Sequence, residues 1–332
     1  MVALRRVKIA GLSTYVPPRL LTNADLERLV ETSNEWILQR TGIRERHIVD
    51  DGMATSDMAK EASLGAIAQA GIRPDEIGFI VVGTTTPDTI FPSTACLLQH
   101  KIGATRAWGY DLGAACSGFT YALTAGMQMI STGAHDYALV IGADTMSSII
   151  DYKDRTTCVL FGDGAGAVVL APAADDEPAI IDFAHEIDGA GGPALCMPAG
   201  GSRMPASHET VDQRMHYVKQ DGQAVFKFAV RKTEEISRRV LERNGLTGSE
   251  IDLFVSHQAN RRIITAAAER LGMPEEKVVI NLERFGNTTG ATIPLALADA
   301  VADGRLKRGD LVLLASVGAG FTVGSVLLRW SL

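Results

Sequence analysis

The chain has 332 residues, 46% hydrophobic and 21% charged, so it is long enough for a full hydrophobic core and carries no tract polar enough for disorder. A net charge of −7 argues against general nucleic-acid binding, and the four cysteines (Cys96, Cys116, Cys158, Cys196) include no C-x-x-C pair that would hold zinc or form a redox dithiol. The N-terminus, MVALRRVKIAGLSTYVP, lacks the apolar core of a secretory signal, and so few cysteines in so long a chain fit a reducing, cytoplasmic setting.

In chain order, the apolar spacing predicts a helix over 57–70 (DMAKEASLGAIAQA), a strand over 77–83, a strand near 107–111 and a helix from about 116 to 131. Strands over 137–142 and 165–171 follow. GDGAG (162–166) precedes the last of these. With no G-K-[ST] after it and strand-like AVVLAP next, it reads as a tight turn, not a phosphate loop. The glycine-rich 189–201 reads as a loop. A helix over 223–244, a strand over 251–256, a helix over 289–303 and strands over 311–316 and 322–329 complete the chain. The uncharged run 311–328 approaches a membrane span in length, but Gly318, Gly320 and Gly324 break it, and two buried strands joined by a turn fit it better. No membrane association is expected.

The chain repeats itself. AGIRPDEIGFIVVGT (70–84) aligns with NGLTGSEIDLFVSHQ (244–258), and HDYALVIGA (135–143) with GDLVLLASV (309–317) at the same offset. GAVVLAP (166–172) resembles GSVLLRW (324–330), with a small slip in register. The chain therefore divides into duplicated halves, 1–173 and 174–332. Near-continuous apolar strands alternating with helices imply α/β layering. Helix 116–131 is apolar on nearly every face and suits a middle layer. The expected fold is α/β, a duplicated five-layer α-β-α-β-α arrangement.

Mismatches between the copies point to a site. Where the first half has Gly83 the second has His257, and Cys116 is set opposite Thr288, beside Asn287. All fall at carboxyl ends of strands or at the helix starts that follow, where open α/β sheets bind ligands. Cys116, in DLGAACSGFT, opens a helix after a turn of small residues. The helix dipole and free N–H groups there are expected to lower its pKa and to hold an oxyanion. Most free cysteines are simply small buried hydrophobes, a reading that suits Cys96, Cys158 and Cys196. His47, His100, His135, His185, His208 and His216 read as solvated loop histidines. Asn287, in FGNTTGATIP, has the alternative of a helix cap. Together the Cys, His and Asn suggest nucleophilic catalysis.

DLGAACSGF, FGDGAGA, SHQANRRI and FGNTTGATIP, in that order, resemble the β-ketoacyl-acyl carrier protein synthase III family of the thiolase superfamily. TSNEWILQRTGIRER (32–46) and GTTTPDTIFPSTAC (83–96) extend the likeness over essentially the whole chain. The resemblance implies the thiolase-like five-layer fold, a homodimer, and decarboxylative condensation of an acyl-CoA primer with malonyl-acyl carrier protein, starting fatty-acid biosynthesis. It implies that Cys116 accepts the acyl group and that the N–H groups of Cys116 and Ala319 form the oxyanion hole. His257 and Asn287 would bind the malonyl thioester carbonyl. No metal or redox cofactor is required, since the thioester itself stabilises the enolate.

The same resemblance places Trp36 and Arg155 on either face of the CoA adenine, with Thr32, Arg40 and Asn260 contacting the rest. It gives Phe91 (reaching across the dimer), Leu160 and Phe226 as the floor of the acyl pocket. Lys227, Arg231, Arg261 and Arg262 would attract the acidic carrier protein. A degradative thiolase would need a second cysteine near SVGAGF, and elongating synthases carry a second histidine where this chain has Asn287. A secondary-metabolism condensing enzyme or acyltransferase shares the trio, a cysteine hydrolase fits less well, and the primer stays open.

Overall fold

The computed structural model describes residues 4–332. The principal elements, in chain order, are β1 (Arg6–Tyr15), α1 (Asn34–Thr41), α2 (Thr55–Ala70), β2 (Phe79–Gly83), α3 (Thr94–Ile102), β3 (Trp108–Leu112), α4 (Gly118–Ser131), β4 (Ala138–Asp144) and β5 (Gly164–Ala173). Then follow β6 (Ile180–Ile187), α5 (Gly222–Arg243), β7 (Leu253–Ser256), α6 (Arg261–Arg270), α7 (Thr292–Ala302), β8 (Leu311–Gly318) and β9 (Thr322–Arg329).

The first sheet has the order β1-β5-β4-β2-β3, the second β6-β9-β8-β7, and a single parallel bridge from Phe254 to Val278 stands where β3 stands in the first. In both, the two pairings counted from β1 or β6 are antiparallel and the next is parallel. The architecture is therefore written twice.

Alternation along the strands builds the layers. Phe79 and Val81 of β2 face inward into a cluster that holds Phe119 and Leu123 of α4, Ile293 and Leu297 of α7, and Val312 and Leu314 of β8. The intervening Ile80 and Val82 face outward onto Met58 and Ala62 of α2 and Leu98 of α3. In the second sheet, Leu313 and Ala315 turn outward onto Ile236 and Val240 of α5 and Ile264 of α6. Two-residue periodicity thus covers both faces of each sheet. The α4–α7 pair is the middle of five layers, and each of these helices is buried between sheets as its apolar sequence demands.

Helices expected to begin at 116 and 289 open as single 3-10 turns, Ala115–Ser117 and Thr289–Ala291. The run 311–328 forms β8 and β9, an antiparallel pair in register from Leu311↔Arg329 to Gly318↔Thr322. No helix among the described residues is long and apolar enough to cross a membrane. The small register slip in the third repeat is a correction. Residues 145–163 connect β4 to β5 whereas only 319–321 connect β8 to β9, so the first copy carries a long insertion.

His185 is a second correction. It lies on β6, not in a solvated loop, with Nε2 2.8 Å from Thr124 Oγ1 and its ring 4.3 Å from that of Tyr121. Burial pushes its pKa down to about 4, and burial likewise pushes that of His257 down to about 3. Both bind protons more readily unfolded than folded, so neither costs stability well above pH 6.5. Each destabilises the fold as pH falls below 6.5, towards 4 for His185 and 3 for His257, by up to about 1.4 kcal/mol per pH unit for each group. Urea unfolding between pH 7.5 and 5 is expected to show this decline and His185→Asn to flatten it. A stability independent of pH over that range would contradict it.

Candidate active site

Cys116 sits in the 3-10 turn that joins β3 to α4 and is 7% exposed. The residue before it, Ala115, has φ 45°, a left-handed conformation that costs a residue with a side chain about 1–3 kcal/mol and needs outside support. The second half supplies the support. Thr322 Oγ1 donates to Ala114 O at 2.8 Å, and Ser117 Oγ donates to Thr322 O at 3.1 Å. A Cβ on Gly318 would lie 2.7 Å from Cys116 N and 2.9 Å from Ala114 O. Only glycine lets the end of β8 come this close to the cysteine turn.

The second copy repeats the device. Thr289 has φ 52° and is the counterpart of Ala115. The residue matching Cys116 is therefore Gly290, not Thr288, which corrects the register of the sequence comparison. A Cβ at Gly290 would meet Gly83 O at 2.9 Å and Asp144 Oδ2 at 3.2 Å, so this second turn has no space for a thiol.

His257 directly follows β7, and its N–H extends the parallel pairing to Ala315 O at 2.8 Å. Its Nδ1 lies 2.7 Å from Thr292 Oγ1, while the buried Nε2 has no protein partner. Depressed by burial, its pKa keeps the ring neutral at physiological pH. Asn287 is fixed through its backbone: N–H donates to Leu160 O at 2.8 Å, and Gly162 N–H donates to its O at 3.1 Å. Asn287 Oδ1 accepts from Thr289 N–H at 2.9 Å. With Oδ1 so engaged, the amide nitrogen is the free end, on the wall of the cavity that Cys116 also lines.

All three side chains line one cavity of about 220 Å³, together with Arg40, Asn260 and Phe226. A second cavity of about 140 Å³ also has Cys116 in its wall and is lined by Met146, Ile149, Phe161, Val218 and Ala319. Cys116 thus stands in the wall of both chambers, a larger one in which polar groups, His257 and Asn287 among them, interrupt apolar walls, and a smaller one that is almost wholly apolar.

The expected low cysteine pKa is corrected. Burial, and after it the negative charge of Asp144, push the Cys116 thiol up to about 12, against which its own backbone N–H and Asn287 pull only partly. One residue behind this was missed from sequence. Asp144 ends β4, is 0% exposed, and accepts from Thr85 N–H at 2.7 Å and from the hydroxyls of Thr84, Thr85 and Thr86 on Oδ1. Gly290 N–H donates to Oδ2 at 3.0 Å. Thr84 and Thr86 hydroxyls already accept from the backbone N–H groups of Thr86 and Thr145, which turns their own protons toward the carboxylate. Burial raises the Asp144 pKa while these donors oppose it. The run GTTT (83–86) and an aspartate at a strand end were the available signal. Thr292, which holds His257, carried none.

The other expected residues divide. Arg40 and Asn260 line the first cavity and are joined, Asn260 Nδ2 donating to Arg40 O at 2.9 Å. Thr32 does not line it, and its buried hydroxyl lacks a partner. Arg155 stacks directly on Trp36, 5.4 Å from the ring centroid, so the two do not leave a gap for an adenine between them as they stand. Leu160 and Phe226 line the larger chamber, not the apolar one beyond Cys116, and Phe91 is 84% exposed and lines neither. The apolar chamber is walled by Met146, Ile149, Phe161 and Val218, and the exposure of Phe91 leaves it free to reach a second copy of the chain. Cys196, read as structural, also lines that chamber. Lys227, Arg231, Arg261 and Arg262 are all exposed on the neighbouring helices α5 and α6. Arg231 and Arg261 make only loose ion pairs, to Glu235 at 3.8 Å and Glu275 at 3.6 Å, and Arg262 lies over Phe226 at 5.3 Å.

Comparison with known proteins gives consistent matches. The family model 3-Oxoacyl-[acyl-carrier-protein (ACP)] synthase III covers residues 110–189, and the model of its C-terminal region covers residues 241–330. The chain is 58% identical over the full length of both chains to a beta-ketoacyl-[acyl-carrier-protein] synthase III of Koribacter versatilis. It is 60% identical to that of Solibacter usitatus, over 98% of this chain and 99% of the relative. Among solved structures, 3-oxoacyl-(acyl carrier protein) synthase III of Pseudomonas aeruginosa superposes with a TM-score of 0.92 at 40% identity, over 99% of each chain.

If the Asp144 charge holds the thiol up, Asp144→Asn should move the pH midpoint of Cys116 alkylation by iodoacetamide downward, by about one unit or more. An unmoved midpoint in a folded variant would show that burial alone sets the thiol.

Proposed function

The chain belongs to the 3-oxoacyl-[acyl-carrier-protein] synthase III family, and from that premise we propose that Cys116, His257 and Asn287 carry its reaction. It is a condensing acyltransferase that initiates fatty-acid biosynthesis. The observation that supports the residue assignment is the single cavity in which a cysteine from one half meets a histidine and an asparagine from the other.

In the first half-reaction Sγ of Cys116 bonds the acyl carbon of an acyl-CoA. The carbon–sulfur bond to CoA breaks and the thiol proton leaves on the CoA sulfur. The thioester oxyanion is held by the N–H groups of Cys116 and Ala319, and the primer chain occupies the apolar chamber. In the second, malonyl-acyl carrier protein enters the larger chamber. Its carbon–carboxylate bond breaks, carbon dioxide departs, and the electron pair passes to the thioester oxygen. Asn287 Nδ2 and His257 Nε2 donate to that oxygen, where the charge develops. A neutral imidazole suits this in the tautomer that carries its proton on Nε2, with Nδ1 accepting from the Thr292 hydroxyl at 2.7 Å in competition with Thr289 O at 3.1 Å. The enolate carbon then bonds the acyl carbon, Sγ leaves, and one proton restores the thiol. Written this way the reaction needs neither metal nor redox cofactor.

Residues 1–173 and 174–332 are the two halves in this reading, with the boundary at the end of β5. Arg40, Asn260 and Thr32, and Trp36 once Arg155 swings from its face, hold the CoA. Lys227, Arg231, Arg261 and Arg262 receive the carrier protein near the mouth. The enzyme works as a cytoplasmic homodimer. Support for the dimer comes from the unpaired edge of β3, where Trp108 is 52% exposed, and from Ile90 and Phe91 at 85% and 84%.

Mass spectrometry should find acyl-Cys116 after incubation with acyl-CoA, and Cys116→Ser should abolish it. His257→Ala and Asn287→Ala should each lower carbon dioxide release from malonyl-acyl carrier protein by about 10²-fold or more while acylation persists. Equal loss of both half-reactions would count against these roles. For the dimer, sedimentation of Trp108→Glu is expected to shift the native dimer to monomer, and a native monomer would sink that part of the reading.

A further inference from the structure

Two sequence motifs lie outside the catalytic trio, TGIRER, ending at Arg46, and FGDGAG, starting at Phe161. The structure sets them side by side. Arg46 lies in the short hairpin formed by Leu20–Thr22 and Glu45–His47 and is 0% exposed. Its guanidinium donates to Asn23 Oδ1 at 2.9 Å, to Leu21 O at 3.2 Å and to Val159 O at 2.5 Å. No carboxylate among the described residues pairs with it. Burial lowers its pKa only to about 10, so the charge persists at neutral pH. A buried cation whose partners are carbonyls and one amide is costly to keep unless its geometry is used.

The segment it grips leads to the active site. One residue after Val159, Leu160 O accepts the N–H of Asn287, and two residues further Gly162 N–H donates to Asn287 O. Next to that, Asp163 N–H donates to His47 O at 2.8 Å, so the same segment is tied to the hairpin at both ends. The packing is as close as the hydrogen bonding. A Cβ on Gly162 would lie 2.4 Å from Phe285 O and 3.0 Å from the Cβ of Arg46. One on Gly286, beside Asn287, would lie 3.3 Å from the same Arg46 atom. Residues 159–163 are thus a strip pressed between the arginine hairpin and the asparagine loop, with Asn287 hydrogen-bonded to it on both sides.

We propose that Arg46 is a positioning residue for Asn287, clamping the 159–163 strip so that the amide stays aimed at the thioester oxygen. The inference rests on the role given to Asn287 above. Arg46 makes no contact with the Cys116 turn, which β8 and β9 hold separately, and because the strip also carries Phe161 of the apolar chamber, acylation is read at saturating acyl-CoA. Its loss should therefore separate the half-reactions.

The test measures acyl-Cys116 formation from acyl-CoA and carbon dioxide release from malonyl-acyl carrier protein in Arg46→Lys and Arg46→Met, with thermal unfolding as a folding check. Arg46→Lys keeps a cation and an apolar stem but cannot reach several acceptors at once. We expect decarboxylation to fall about tenfold in Arg46→Lys and about a hundredfold in Arg46→Met, with acylation within twofold of the parent. If Arg46→Met does not fold, Arg46→Lys decides alone. In an Asn287→Ala background Arg46→Lys should cost nothing further. Parallel loss of both half-reactions, unchanged decarboxylation, or an undiminished cost in the Asn287→Ala background would each overturn the proposal. If Asn287→Ala itself leaves decarboxylation intact, it is the Asn287 role that fails.

Discussion

A single buried carboxylate holds the two halves in register where the chemistry is done. Asp144 takes its donors from the GTTT run at the end of β2 in one half and from the Gly290 N–H in the other. A carboxyl group removed from water is costly unless its oxygens are hydrogen-bonded, and here both are, although burial still raises its pKa. The constraint is mutual. The donors must stay where they are to satisfy the carboxylate, and they lie in the loop after β2 and in the turn that follows Asn287. Gly290 has no Cβ because the carboxylate and Gly83 O occupy that space.

This arrangement sets the electrostatics of Cys116 and His257, the groups proposed to react. Cys116 and His257 are both neutral at rest, the first because burial and a nearby negative charge disfavour thiolate, the second because burial disfavours imidazolium. The site thus differs from a thiolate–imidazolium pair that stores its reactivity as charge. Its reactivity depends on donors already aimed at positions where charge appears during the reaction. That explains why so much of the structure is devoted to holding backbone N–H groups and one amide, through the strained turns at Ala115 and Thr289 and the close pass of Gly318.

Much of this was legible in the sequence. The duplicated halves emerged from two matches at one offset because buried strands must keep their apolar register. His257 and Asn287 were visible as departures from the repeat. Pattern failed where the outcome depended on distance between segments remote in sequence. The third match slipped because residues 145–163 have no counterpart. Thr288 was paired with Cys116 by its place beside Asn287, although the offset of the two matches already sets Gly290 there, as the left-handed residues at 115 and 289 do in the fold. The thiol was expected to be acidic because helix position is written locally, whereas burial and Asp144 are not. That Leu160 and Phe226 share one chamber and Met146 and Val218 another was not legible, because only the fold shows which side of Cys116 a wall faces.

The connection of residues 145–163 has a consequence for how such an enzyme diversifies. It sends Met146, Ile149 and Phe161 into the apolar chamber and Leu160 with Thr156 into the other, yet it lies between β4 and β5 and belongs to neither sheet's repeat. The duplicated frame needs only three residues at the corresponding place. Chamber size is accordingly separable from folding. If the primer lies there as proposed, substitutions at 146 and 149 would change the space behind the cysteine without touching a strand pairing, within the limit that Met146 also packs on Leu26 and Ile37 in a small core of its own.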